Sequence, residues 1–178
     1  MSNNREKRIY QETVHLYLAL QRDGTAKDKR CIRHVIKDEN LDLQMLEVKC
    51  KVLGGEWRIH HTVNARDCEK ARKILLKILI DHPEKASVID SEWRTALMQK
   101  ECRVTNYFML DIDTKDNNKL FEITKLLNLK VKVINTIETI KGWHYITEPF
   151  DTREVCKLDY VTLLRDGYYY VKTVGNKI

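Results

Sequence analysis

Phe108-Met109-Leu110-Asp111-Ile112-Asp113 is the stretch on which the reading of this chain turns. Residues 107–113 are almost continuously apolar until the carboxylates, which predicts a short buried strand. Side chains alternate along a strand, so Asp111 and Asp113 leave one face while Phe108, Leu110 and Ile112 pack on the other. Two carboxylates projecting together repel each other unless a cation lies between them. Oxygen ligands of this kind suit Mg²⁺ or Mn²⁺, which keep open positions for water and phosphate oxygens.

Working outward, Leu120, Ile123 and Leu127 fall on one face of a following helix, and residues 131–137 and 143–147 read as strands. Residues 158–164 and 168–174 flank Asp166-Gly167, a two-residue turn that predicts a closing hairpin. Upstream, Leu46, Val48, Cys50 and Val52 alternate with Glu47, Lys49 and Lys51, the period of a half-buried strand. Gly54-Gly55 follows, and Trp57, Ile59, His61 and Val63 alternate again, so a hairpin turning at the glycines is expected. Asp67 is placed to cap a helix whose Ala71, Ile74, Leu75, Ile78 and Leu79 share a stripe, ending by Pro83. A shorter helix is expected within 86–101. Residues 8–20 predict a helix with Tyr10, Val14, Tyr17 and Leu18 on one stripe. A polar, basic loop around Gly24 (Lys27, Lys29, Arg30) follows, and 32–40 has no clear period.

These elements predict an α+β fold with a mixed or antiparallel sheet and helices packed on one face. No glycine-rich loop follows a strand, which argues against a Rossmann fold. A chain of 178 residues suits one domain over 1–178, with 1–55 holding the N-terminal elements and 56–178 the core. No apolar run reaches the roughly 18 residues of a membrane span, and the first residues do not form a signal-peptide core. A cytoplasmic location without membrane contact is therefore expected. Five irregularly spaced cysteines with no CxxC pair argue against a disulfide framework or zinc ribbon and predict reduced thiols. A net charge of +6 favours anionic partners.

Three further stretches carry chemistry. In Thr139-Ile140-Lys141-Gly142-Trp143-His144, Gly142 lets backbone approach a ligand, His144 can reach a phosphate and Lys141 adds charge. Asn64 and Arg66 sit near a helix N-terminus, a place suited to phosphate. Asp159 follows Leu158 in an otherwise apolar stretch and could complete the metal site begun by Asp111 and Asp113.

Taken in order, these pieces resemble the archaeo-eukaryotic primase (primase-polymerase) superfamily. Its core has an Asp-x-Asp motif ending a strand, a glycine-containing stretch leading to His on a later strand, and an apolar residue followed by Asp. Here the matches are Asp111-Ile112-Asp113, Thr139 through His144, and Leu158-Asp159. Val63-Asn64-Ala65-Arg66 is similar to an upstream Val-Asn-x-Arg element of that superfamily. The resemblance covers roughly residues 55–175 and implies a minimal catalytic core with an RRM-like C-terminal half. It implies that Asp111, Asp113 and Asp159 hold Mg²⁺ or Mn²⁺ and carry catalysis. His144, with Gly142 and Lys141, would meet the nucleotide phosphates, and Asn64 and Arg66 would position nucleotide or template. The implied partners are a nucleoside triphosphate, single-stranded DNA or RNA, and a replication or repair protein.

The alternative is a non-enzymatic RNA- or DNA-binding accessory protein whose sheet stacks bases on Trp143, Tyr145 and Tyr168–Tyr170. A haloacid-dehalogenase-type phosphatase requires a Thr two positions after its second Asp, whereas Thr114 follows Asp113 directly. A two-histidine phosphoesterase requires two His-x-Thr elements, and His144-Tyr145-Ile146-Thr147 is one residue too long.

Overall fold

The computed structural model describes residues 12–22, 30–128 and 131–175. Tyr10, Gly24, Lys27 and Lys29 lie outside them. The fold is α+β, built from helices and antiparallel sheets. Chain contacts divide it into two compact units: the described part of Met1–Val14 with Arg66–Val104, and His15–Ala65 with Thr105–Ile178.

In chain order the elements are β1 Thr13–Gln21, β2 Cys31–Ile36, α1 Glu39–Leu53, β3 Trp57–Thr62, β4 Arg66–Asp67 and α2 Cys68–Asp81, the helix expected after Asp67. Then come α3 Ile89–Leu97, β5 Phe108–Ile112, α4 Asn117–Asn128, β6 Val133–Glu138, β7 Trp143–Thr147, β8 Val161–Leu164 and β9 Tyr168–Val174. Asp67 caps α2 by accepting the Lys70 N–H at 3.0 Å. The helix stops at Asp81, and a 3₁₀ turn over Pro83–Val88 leads to α3. Cys68, Ala71, Ala96, Leu97 and Cys102 are buried between these pieces.

The second unit holds two sheets. One has the order β2-β1-β3-β9, the other β6-β7-β5-β8, and every pairing is antiparallel. Helix α1 covers the first sheet through Leu46 and Cys50, which meet Tyr17, Ala19, Trp57 and Ile59. Helix α4 covers the second through Ile123 and Leu127, which meet Leu110 and Ile112.

Three expectations are corrected. Within the stretch expected as a helix over 8–20, the described residues from Thr13 form β1, the strand paired on both edges by β2 and β3. Leu16, Tyr17 and Ala19 are all buried, and a strand enclosed on both faces loses the alternation that identifies it. The stretch 46–52 is not a strand but the second half of α1. Asp38 caps it by accepting the Leu41 N–H at 2.9 Å, and Gly54 closes it at φ +70°. The alternation was the sum of two helical stripes: Leu43, Leu46 and Cys50 face the sheet, while Val48 and Val52 face outward. The expected hairpin at Asp166-Gly167 does not form either. Strand β8 pairs β5, whereas β9 pairs β3 in the other sheet. The turn is held by the Val63 N–H, which donates to the Gly167 carbonyl at 3.0 Å.

Next to this crossing, His61 is enclosed among rings: His15 at 4.6 Å, Tyr169 at 4.8 Å and Tyr17 at 5.4 Å between centroids. Burial, with the neighbouring His15 acting in the same direction, lowers its pKa to about 4. An unfolded histidine titrates near 6.5, so between about pH 6.5 and 4 the unfolded chain binds a proton that the folded chain refuses. Stability is therefore full above that window and falls as pH drops through it, by about 3 kcal/mol at this position. Urea unfolding at pH 7 and pH 4.5 should record a loss, and His61→Gln should flatten that slope.

Candidate functional site

The carboxylates of β5 open onto a cleft of about 410 Å³ in the second unit. One sheet contributes Leu20 and Arg22 from β1 and its end, Arg58 and His60 from β3, and Tyr170 from β9. The other contributes Asp111 and Asp113 from the end of β5, His144 from β7, and Thr139, Ile140 and Lys141 from the β6–β7 turn. The pleat places them: Trp57 and Ile59 enter the core beneath α1, so Arg58 and His60 face the other way.

Asp111 and His144 are direct cross-strand neighbours on β5 and β7. The His144 Nδ1 accepts the Tyr170 backbone N–H at 3.1 Å, which places the ring proton on Nε2. That nitrogen lies 3.2 Å from Asp111 Oδ1. The Tyr170 N–H fixes the ring, and the ring stands directly against the Asp111 carboxylate. Asp113, exposed, follows as its N–H donates to the Tyr160 carbonyl at 2.9 Å.

Gly142 sits where a side chain is impossible. A Cβ there would land on the Ile112 carbonyl oxygen and lie 2.8 Å from the Thr114 nitrogen. The turn is closed by Thr139, whose hydroxyl accepts the Gly142 N–H at 3.0 Å and whose N–H donates to the Gly142 carbonyl at 2.8 Å. Gly142 therefore lets the Thr139–Lys141 turn lie directly against the end of β5, beside both carboxylates.

The remaining candidates are placed differently. Asn64 is fully buried, and its amide brackets the start of β5: Oδ1 accepts the Tyr107 N–H at 2.8 Å, and Nδ2 donates to the Tyr107 carbonyl at 3.1 Å. The Thr105 hydroxyl also donates to Oδ1 at 2.9 Å. Asn64 is a positioning residue for the strand that carries the carboxylates. Arg66 is fully buried on β4 in the first unit and does not line the cleft. Asp159 is exposed in the segment before β8; the chain brings it past the end of β5, but its side chain is not part of the cleft wall. Among the described residues, no group of three or more His, Cys, Asp and Glu side chains converges as a metal cluster.

Sequence reasoning missed Arg22, Arg58, His60 and Tyr170 as cleft residues. The period-2 pattern of β3 was the available signal for Arg58 and His60, and Tyr170 stood out only as one of the three consecutive tyrosines considered for base stacking; nothing local marks Arg22. Arg58 lies 3.6 Å from Glu56, and burial holds the His60 imidazole below its ordinary pKa, with His144 adding to the effect. Arg22, Arg58 and Lys141 thus share one space with Asp111 and Asp113. Two carboxylates of one strand are a donor set for Mg²⁺ or Mn²⁺ arriving with phosphate oxygens and water, and are too few for a closed protein-only cage.

Of the aromatic residues that could stack bases, Tyr170 lines the cleft, and three others are partly buried against core clusters. Trp143 and Tyr145 join the Leu110 core cluster, and Tyr169 joins the Val63 cluster. In the first unit a groove of about 660 Å³ runs along α2 past Lys70, Lys73, Lys77 and Lys85. Three of these are charge-compensated, by Asp67 at 3.9 Å, Glu69 at 3.9 Å and Glu92 at 3.6 Å. The five cysteines are free thiols, and no helix among the described residues is long and apolar enough to cross a membrane. No family model, no curated protein and no solved structure matches this chain.

Proposed function

We propose that the cleft binds a nucleoside triphosphate together with Mg²⁺ or Mn²⁺, and that the protein is a primase-polymerase-type nucleotidyltransferase acting on nucleic acid. The observation that carries this reading is the opposition of charges in one space: Asp111 and Asp113 on one side, Arg22, Arg58 and Lys141 around it. A triphosphate complexed with a divalent ion matches that pattern, its anionic oxygens meeting the cations and its metal meeting the carboxylates. The volume is in the range of small-ligand sites. When bound, the metal neutralises charge on the phosphates during phosphoryl transfer.

The chain's own residues then have separate tasks. Asp111 and Asp113 hold the ion, and His144 keeps Asp111 aimed. Arg22, Arg58 and Lys141 bind phosphate oxygens, and Asn64 and Gly142 fix the backbone that presents the carboxylates. Asp159 enters this reading only if substrate binding draws its segment toward the cleft. Trp143, Tyr145 and Tyr169 are partly buried against core clusters, which leaves Tyr170 as the candidate stacking residue that reaches the cleft.

Calorimetric titration of a nucleoside triphosphate in the presence of Mn²⁺ tests the reading. Wild-type protein should bind saturably and bind Mn²⁺ alone far more weakly, because the phosphates complete the ion's ligands. The Asp111→Asn/Asp113→Asn variant should lose the signal. A folded wild type that binds neither ligand would overturn the proposal.

A further inference from the structure

Helix α1 carries a second apolar face that nothing among the described residues covers. Leu41, Met45, Val48 and Val52 are 56%, 56%, 60% and 81% exposed, on a helix whose opposite side is packed on the first sheet. Their spacing of four, three and four residues is that of a coiled-coil seam. Single exposed apolar residues need no explanation, whereas four in one line make a patch of a few hundred Å², the size that marks an interaction surface.

We propose that this stripe pairs with the same stripe of a second copy of the chain, the two α1 helices running antiparallel about a two-fold axis. Self-complementarity is the reason. With the axis between Met45 and Val48, Met45 meets Val48 of the second copy and Leu41 meets Val52, so each larger side chain faces a smaller one. The flanks agree. Asp42 and Lys49 lie on the same edge of the stripe, and the antiparallel arrangement brings Lys49 of each copy alongside Asp42 of the other. The Asp42 carboxylate is fixed for this by His34 at 2.7 Å and by the Lys37 and Asp38 N–H groups at 2.7 and 2.8 Å. A parallel pair would instead set Lys49 of each copy against Lys51 of the other. The antiparallel pair also sets each acidic helix start (Glu39, Asp42) beside a basic end (Lys51), and opposes the helix dipoles favourably.

The seam is smaller than the roughly 800 Å² per partner of a stable complex, so the dimer should be weak, with a dissociation constant of about 10–100 µM. Sedimentation equilibrium on the whole chain, across about 5–500 µM, should record a monomer–dimer equilibrium. Val48→Glu, at an exposed position that the fold does not need, should weaken it at least about tenfold, as should Lys49→Asp. Orientation is read by oxidative cross-linking in a Cys31→Ser/Cys156→Ser background, because those two thiols are exposed. A mixture of Leu41→Cys and Val52→Cys proteins should cross-link between species. Leu41→Cys alone should not, because its two copies would lie about 16 Å apart along the seam, beyond the roughly 7 Å limit of a disulfide. A wild type that stays monomeric throughout, a dimer indifferent to Val48→Glu, or self-cross-linking of Leu41→Cys would each overturn the proposal. The cleft does not enter this argument, so its fate does not depend on nucleotide binding.

Discussion

Asp111→Asn is expected to remove the proposed metal-dependent nucleotidyl transfer almost completely, by about 10³-fold or about 4 kcal/mol of transition-state stabilisation, while the protein stays folded. The amide keeps the size of the carboxylate, and its oxygen can occupy the place of Asp111 Oδ1 beside His144 Nε2, 3.2 Å away. What disappears is the negative charge that would face the ion. The side chain is about one-third exposed, so the exchange leaves no enclosed polar group without water. The measurement is steady-state incorporation of labelled nucleotide beside thermal unfolding of the same preparations. Unchanged turnover would remove Asp111 from the reaction; a fall in both readouts would assign it a structural task instead.

Gly142→Ala should produce a large stability loss for the addition of a single methyl group. Its Cβ would collide with backbone at Ile112 and Thr114, which cannot rotate aside as a side chain can. Either the β6–β7 turn lifts from β5 or the end of β5 moves. Overpacking against fixed atoms costs about 3 kcal/mol, read as a fall in the urea midpoint. Gly54→Ala is the matching control. The space around Gly54 is open, and its penalty arises only from its backbone, φ +70° with ψ 168°, about 1–3 kcal/mol. Turnover should fall with Gly142→Ala even in the folded fraction, since Asp113 lies between the two residues struck. A Gly142→Ala protein as stable as wild type would mean that the turn does not rest on β5.

Several elements were legible from residue order alone. Strand β7 has the limits expected of it, 143–147, and α2 begins at the Asp67 cap because that signal is local: one carboxylate and an N–H three residues on. Residues 107–113 contain β5 because an apolar run ending in carboxylates has few alternatives. The failures were of two physical kinds. In β1 and α1 the periodicity misled: β1 is covered on both faces, and α1 bears apolar residues on both faces, so neither shows its own period. At Asp166-Gly167 the turn residues were read well enough for a change of direction, but a turn does not choose the partner of the strand that follows it.

For the candidate site, the sequence by itself determined the carboxylate pair, its shared face and the glycine–histidine stretch that comes to lie beside it, because alternation along a strand and the absence of a Cβ are properties of single residues and near neighbours. Only the tertiary structure decided what faces that pair. Arg22, Arg58, His60 and Tyr170 reach the cleft because β9 leaves β8 to pair with β3, bringing residues up to about 150 positions apart around one space. The same packing enclosed Asn64 and left Asp159 at the surface, while Arg66 is buried in the other unit. Strand partnership is settled by the joint burial of both sheets against α1 and α4, a sum over the whole chain that no local pattern contains.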